Sequence, residues 1–244
     1  MIRIVKAERR YFSDFGWMKT YWLFSFSDYY DPNNVNLGSL RVFNDDYIEP
    51  GMGYLNHQHR EMEIITIVLD GEITHRDSMG NITILRAGDV HRLSAGSGVT
   101  HTELNLSTRP VHFNQIWIYP DIRGLSPSYE QKSINPLLWK DILYPIASGQ
   151  QLSGGISFNT DATIYRTELS SGKSITYETL ETRKVLIYLS QGQILVNNNM
   201  MNSKDQARIE SEMTLKIEAQ MPSQFILVDV PSRKSYFSTG PLHN

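Results

Sequence analysis

Hydrophobic and polar positions alternate over short stretches along this chain, bounded by clusters of Gly, Asn, Asp and Ser, and no stretch sustains a helical period. The segments Tyr21–Ser25, Ile64–Leu69, Ile82–Leu85, Phe113–Tyr119, Val185–Leu189, Gln193–Val196, Leu215–Glu218 and Phe225–Val230 are rich in Ile, Val, Thr, Tyr and Phe and read as strands. From Pro120 to Gly155 the alternation fades. That turn-rich stretch is expected to link two β-units, with room for a short helix between Asn135 and Tyr144.

The pattern repeats. A turn at Gly51 precedes an extended segment and an apolar strand closing on Leu69-Asp70-Gly71, and a turn at Gly172 precedes the same order closing on Ser190-Gln191-Gly192. Both glycine pairs are offset by 121 residues, and each half continues with a hairpin and a strand pair ending in QIWIYP or FILVDVP. The chain is therefore expected to be all-β, with two similar β-barrels in tandem. The expected division is a first barrel over 1–130, a linker and second barrel over 131–231, and a tail over 232–244.

Length, charge and composition narrow the chemistry. The 244 residues suit one large domain or two modest ones, and 23 basic against 26 acidic side chains leave no general attraction to nucleic acid or anionic lipid. The longest apolar runs, Ile64–Leu69 and Phe225–Val228, fall far short of the roughly 20 residues that span a bilayer. The opening MIRIVKAERRYF lacks the apolar core of a signal peptide, so a cytoplasmic protein is expected. With no cysteine, disulfides, thiolate metal sites and cysteine nucleophiles are excluded, and any metal must be held by imidazole and carboxylate.

Six of the seven histidines lie between His57 and His112, and the seventh is His243, so the second repeat has none. A site in the first repeat alone would explain that distribution. Residues two apart on a strand point the same way, so His57 and His59 can present both imidazoles to one ion, although a pair this short also suits a coincidental surface arrangement. His101-Thr102-Glu103 repeats the spacing after the bend expected at Gly96-Ser97-Gly98. Three imidazoles and one carboxylate from neighbouring strands would hold a divalent first-row metal with positions left open. Glu63 shares parity with the histidine pair if no bulge intervenes, as a fifth ligand, a proton acceptor or a partner orienting an imidazole; Glu61 is expected to face solvent near the mouth. His75, exposed or paired with Asp77, His91 after the Gly88-Asp89 turn, and His112 leading a strand are expected to lie outside the ligand set.

These residues carry a family resemblance. The spacings G51-x5-H57-x-H59-x3-E63 and G88-x12-H101-x-E103 resemble the two cupin motifs, with Ser94 where many cupins have proline. The runs HQHREMEIITIVLDGEITHRDSMGN and LSAGSGVTHTE are similar in detail to the pirin family, as are FSFSDYYDP and PSYEQ. The resemblance covers most of the chain and is densest from Phe15 to Gln131. It implies a bicupin with one metal ion, held by His57, His59, His101 and Glu103 in the first barrel, and Glu63 outside the ligand set. The 121-residue offset places Glu178, Leu180 and Lys184 opposite His57, His59 and Glu63, so no matching set is expected in the second barrel.

Bacterial pirin-like proteins are similar to quercetin 2,3-dioxygenases, which open the central ring of a flavonol with O₂ and release carbon monoxide. The resemblance thus implies a flavonol-type aromatic substrate, O₂, and iron foremost as the metal, with nickel, copper, manganese, cobalt and zinc as alternatives. Glu63 is the candidate base for the flavonol hydroxyl. The alternative is a metal-containing regulator acting through a protein partner. A monomer is expected, because two barrels in one chain already cover the face by which single cupins dimerise.

Overall fold

A computed structural model describes residues 1–150 and 152–232. The expected tail beyond Ser232, including His243, lies outside the described residues. Among the described residues, twenty-two strands and two short 3-10 turns account for the regular structure. No helix of the described residues is long and apolar enough to cross a membrane.

The strands are β1 (Ile2–Val5), β2 (Tyr11–Asp14), β3 (Met18–Trp22), β4 (Leu40–Ile48), β5 (Gly53–His59), β6 (Glu63–Asp70), β7 (Glu72–Asp77) and β8 (Ile82–Arg86). β9 (Asp89–Ser94), β10 (Val99–Leu104), β11 (Val111–Ile118), β12 (Ser128–Ser133), β13 (Tyr144–Ser148), β14 (Ile156–Ser157) and β15 (Thr163–Leu169) follow. The last are β16 (Ser174–Glu178), β17 (Arg183–Gln191), β18 (Gln193–Val196), β19 (Asn199–Asn202), β20 (Gln206–Glu210), β21 (Thr214–Ala219) and β22 (Ser223–Pro231).

They form two flattened barrels with one plan. A seven-stranded sheet in the order β12-β9-β6-β11-β4-β3-β2 closes on a four-stranded sheet β5-β10-β7-β8, and the orders β1-β20-β17-β22-β15-β13-β14 and β16-β21-β18-β19 repeat it. β6 and β17 occupy equivalent places, as the glycine repeat predicts. Gly51, Gly71, Gly172 and Gly192 all take positive φ at the matched turns.

The two large sheets pack face to face. On β6, Ile65 and Ile67 join Phe43, Ile116 and Ile118 against Leu186, Tyr188, Ile226 and Val228 of the other barrel. Ile64 and Val68, of opposite parity, enter the interior of their own barrel. Strands buried on both faces read as continuous apolar runs, which is why β6, β17 and β22 stand out in the sequence.

Several expectations need correction. The first expected strand, Tyr21–Ser25, is observed at Met18–Trp22, because Leu23 and Phe24 leave the sheet to enter the core between the barrels. Pro120–Gly155 is not a featureless linker: β12 pairs with β9, and β13 pairs with β15. The helix expected in Asn135–Tyr144 is only a 3-10 turn, Pro136–Trp139, capped by Asn135 and ended by the left-handed Asp141. The boundaries also interlace, since β1 at the N-terminus pairs with β20 of the second barrel while β12 runs past residue 130 in the first. Such long-range pairings leave no local trace in the chain.

Candidate metal centre

The interior of the first barrel is layered. Trp22, Val42, Ile64, Leu93 and Trp117 cluster toward one end, and Met18, Ile48, Val68, Ile73 and Phe113 cluster at the other. Strand alternation puts Thr20, Asn44, Thr66, His91 and Gln115 between these apolar layers, all of them buried. A polar layer inside a core is costly unless its groups find partners or a ligand.

β5 and β10 build the centre of that layer. His57 stands opposite His101 in the register, and a bulge between His101 and Glu103 re-aims the β5 residues. Gly53 allows this close approach, since a Cβ there would meet the Glu103 carbonyl oxygen at 2.1 Å. At the bend before β10, Gly96 takes φ +46° and packs where a Cβ would lie 2.1 Å from the Leu125 carbonyl oxygen.

The three imidazoles face one another. Ring centroids are separated by 4.7 Å for His57–His59, 4.2 Å for His57–His101 and 4.9 Å for His59–His101. One ring nitrogen from each can be chosen so that all three lie within 4.8 Å of one another. The His57 Nδ1 lies 2.8 Å from the Leu55 carbonyl oxygen, to which it can only donate, so its Nε2 keeps a free lone pair. The His101 Nε2 is buried without a hydrogen-bond partner. Burial first, then the neighbouring His57, lowers the His59 pKa to about 3, and the same causes hold His101 far below the ordinary histidine range. His59 and His101 are thus held neutral, and together with His57 they offer the ring nitrogens a divalent transition metal requires.

Glu103 lies two residues along β10, fully buried, and its hydrogen-bond partners are neutral. The Gln115 Nε2 donates to it at 2.7 Å and the Thr66 hydroxyl at 3.4 Å. Trp117 Nε1 donates to the Gln115 Oε1 at 3.0 Å, which turns the amide so that its NH₂ faces the carboxylate. A cavity of about 260 Å³, lined by Phe26, Tyr54, Gln115, Trp117, His57 and His59 among others, opens onto the cluster.

Family comparisons agree with this layout. The family model described as Pirin matches residues 5–118, and the model described as Quercetinase C-terminal cupin domain matches residues 145–230. The quercetin 2,3-dioxygenase of Escherichia coli K12 is 36% identical over 232 residues, covering 95% of this chain and 99% of that protein. The chain belongs to the pirin family. A pirin-like protein of Caulobacter vibrioides is 39% identical over 218 residues, covering 89% of this chain and 94% of its own. Among solved structures, the bacterial pirin YhhW of Escherichia coli in complex with nickel(II) superimposes with a TM-score of 0.90 at 34% identity, covering 95% of this chain and 99% of that one. The fold is thus the pirin bicupin, all-β with two cupin domains.

Within this pirin fold, the structure brings His57, His59 and His101 together, whereas the Glu103 carboxylate, expected with them, is grouped with ring nitrogens of His75 and His91, within 4.8 Å. Glu63 is not brought to the cluster. The left-handed Glu61, at φ +51°, breaks the chain between β5 and β6, which then belong to different sheets. Parity does not carry across that bend, and Glu63 points with Ile65 and Ile67 toward the other barrel, accepting from Ser94 Oγ at 2.6 Å and Asn159 Nδ2 at 3.2 Å. Glu61 does not simply face solvent, because it accepts the backbone N–H of Gly124 at 3.0 Å.

His75 pairs with Asp77 but is fully buried, and His91 is buried beside it. Both sit on the inward parity of their strands, with Ile73 and Leu93, a signal present in the local spacing. The aromatic walls Phe26, Tyr54 and Trp117 had no comparable marker. In the second barrel Ile187, Ile194, Leu215, Ile217 and Leu227 fill the interior. Leu180 is exposed, Glu178 accepts from Thr214, and Lys184 pairs with Glu210.

The position of Glu63 makes a prediction. Burial raises its pKa, with the bonds from Ser94 and Asn159 opposing. A folded-state carboxyl pKa above its unfolded value loses stability as pH rises from about 4. Glu63→Gln removes that burden and should leave metal affinity unchanged, with a melting temperature at pH 8 equal to or above wild type. A tenfold loss of metal affinity in the variant would return Glu63 to the centre.

Proposed function

We propose that this chain is a metal-dependent dioxygenase acting on flavonol-type aromatic substrates, with one divalent transition metal held by His57, His59, His101 and Glu103. The observation that carries the reading is a cluster of three imidazoles, two of them buried and held neutral, with Glu103, a carboxylate that has only neutral hydrogen-bond partners, on the same strand as His101, next to a cavity with aromatic walls. Iron is the foremost candidate; nickel is the ion bound by the related pirin YhhW. When bound, the metal supplies Lewis acidity that favours the deprotonated form of a ligated hydroxyl and a position at which O₂ can meet substrate.

The chain's own residues do the rest. Phe26 and Trp117, packed edge-to-face with centroids 5.3 Å apart, form an apolar wall against which a flat ring can lie while water is excluded. The Tyr54 hydroxyl is tied to the Met18 sulfur at 2.8 Å, so the tyrosine offers the cavity its ring. Besides the histidines, the amides of Asn56 and Gln115 line the cavity, neutral groups suited to the oxygens of a polyphenol. A closed structural metal site would need no such opening.

Protein loaded with iron(II), nickel(II) or manganese(II) is expected to bleach the flavonol absorption band in air and not under nitrogen, with His59→Ala inactive. Absence of bleaching with iron, manganese, cobalt, nickel and copper, together with retained binding of a protein partner, would contradict the enzyme reading and favour the regulator.

A further inference from the structure

Both nitrogens of His75 are engaged, and the two contacts run in series toward the centre. Its Nε2 lies 3.0 Å from Asp77 Oδ2, and its Nδ1 lies 3.4 Å from the Nδ1 of His101. Asp77 is itself fixed. Its Oδ1 accepts the backbone N–H groups of Met79 at 2.9 Å and Asn81 at 3.1 Å, and its Oδ2 accepts Asn81 Nδ2 at 2.8 Å. Burial works to raise its pKa, but the bond from His75 and those from Asn81 outweigh it, and the carboxyl is held below its ordinary value.

The direction of every proton follows. An ionised carboxylate only accepts, so His75 carries a proton on Nε2, and its Nδ1 is the acceptor in the contact with His101. The facing nitrogen of His101 must then be N–H, which leaves the lone pair of His101 on Nε2. That is the buried nitrogen without a partner.

We propose that Asp77 and His75 form a positioning relay that fixes the tautomer of His101, aims its Nε2 at the metal and raises its basicity. The inference rests on the ligand set proposed above. A carboxylate or carbonyl behind a ligating imidazole is a recurrent way to orient it, and removing such a partner typically costs ~10–100-fold in metal affinity. Here one imidazole is interposed between the carboxylate and the ligand. The relay also competes with use of His75, His91 and Glu103, whose ligand atoms lie within 4.8 Å of one another, as a metal site. With His75 committed at both nitrogens, one imidazole and one carboxylate remain, too few to hold an ion.

The test is cobalt(II) affinity and the visible cobalt spectrum of wild type, His75→Gln, Asp77→Asn and the double variant, with melting temperatures of the metal-free proteins. His75→Gln is expected to bind cobalt ~10–100-fold more weakly and to shift the visible bands, while the metal-free protein melts as wild type does. In series, the double variant should bind no more weakly than His75→Gln alone. Additive losses, or affinities and spectra like wild type, would overturn the relay. If His75→Gln does not fold, Asp77→Asn carries the same test: weaker binding with a moved spectrum supports the relay, and unchanged binding overturns it. Failure of wild type to bind cobalt at all would instead refute the ligand set.

Discussion

Glutamine in place of Glu103 is expected to lower metal affinity by more than the ~100-fold at the top of the range for residues that act behind a ligand, and to abolish flavonol turnover. The substitution keeps the side chain's volume, and its amide oxygen can still accept from Gln115, so the polar layer stays packed. What is lost is the negative charge that a divalent ion needs beside three neutral imidazoles. The metal-free protein should show the opposite trend. A buried carboxylate whose hydrogen bonds come only from Gln115 and Thr66 carries a desolvation cost with no cationic partner to offset it. Metal-free Glu103→Gln should therefore melt at or above the wild-type temperature. Saturating metal should raise the wild type strongly, by about 4 kcal/mol at a thousandfold excess over Kd, and the variant hardly at all. Calorimetric melts with and without metal would separate a ligand from a structural carboxylate, since the latter predicts a loss of stability in both states.

The second large effect is expected where the barrels meet. Asp45, on β4, is buried and receives the Tyr188 hydroxyl at 2.5 Å, Lys204 Nζ at 3.1 Å and Arg10 Nη1 at 3.5 Å, with His112 and Asn114 completing its shell. Tyr188 and Lys204 come from the second barrel, so this one carboxylate ties the two halves together. Asp45→Ala leaves Arg10 and Lys204 facing each other without their counter-charge. A loss of ~3–5 kcal/mol is expected, roughly 6–20 °C in melting temperature for a chain of this size. Burial works to raise the Asp45 pKa, but the bond from His112 and the charge of Lys204 outweigh it and hold the carboxyl well below the usual range. A depressed folded-state pKa means stability that is full above the unfolded value of about 4 and lost as pH falls below it. The gap in melting temperature between wild type and Asp45→Ala should accordingly narrow from pH 5 to pH 2. A gap that is constant across that range would show that the carboxylate's charge is not what joins the barrels.

Much of this was legible because the informative residues act locally. β6, β17 and β22 are apolar on both faces, and the matched glycines sit at turns that need positive φ, so the repeat is written in single residues. His57 and His59, and His101 and Glu103, each share one strand, where a spacing of two settles the face. Parity with the histidine pair does not reach Glu63, because the left-handed backbone at Glu61 starts a new strand in another sheet. The inward side of His75 follows from its parity with Ile73, but its place opposite Glu103 depends on β7 lying against β10, and that register is a long-range property. The same holds for β1, whose pairing of Ile2 with Ile209 crosses nearly the whole chain.

The most direct test is an anomalous-difference map recorded at the metal edge from crystals of the metal-loaded protein. One peak per chain is expected, inside the first barrel and within bonding distance of His57, His59 and His101 nitrogens and a Glu103 oxygen. A peak in the second barrel, or one in the first that leaves out the His101 Nε2, would contradict it.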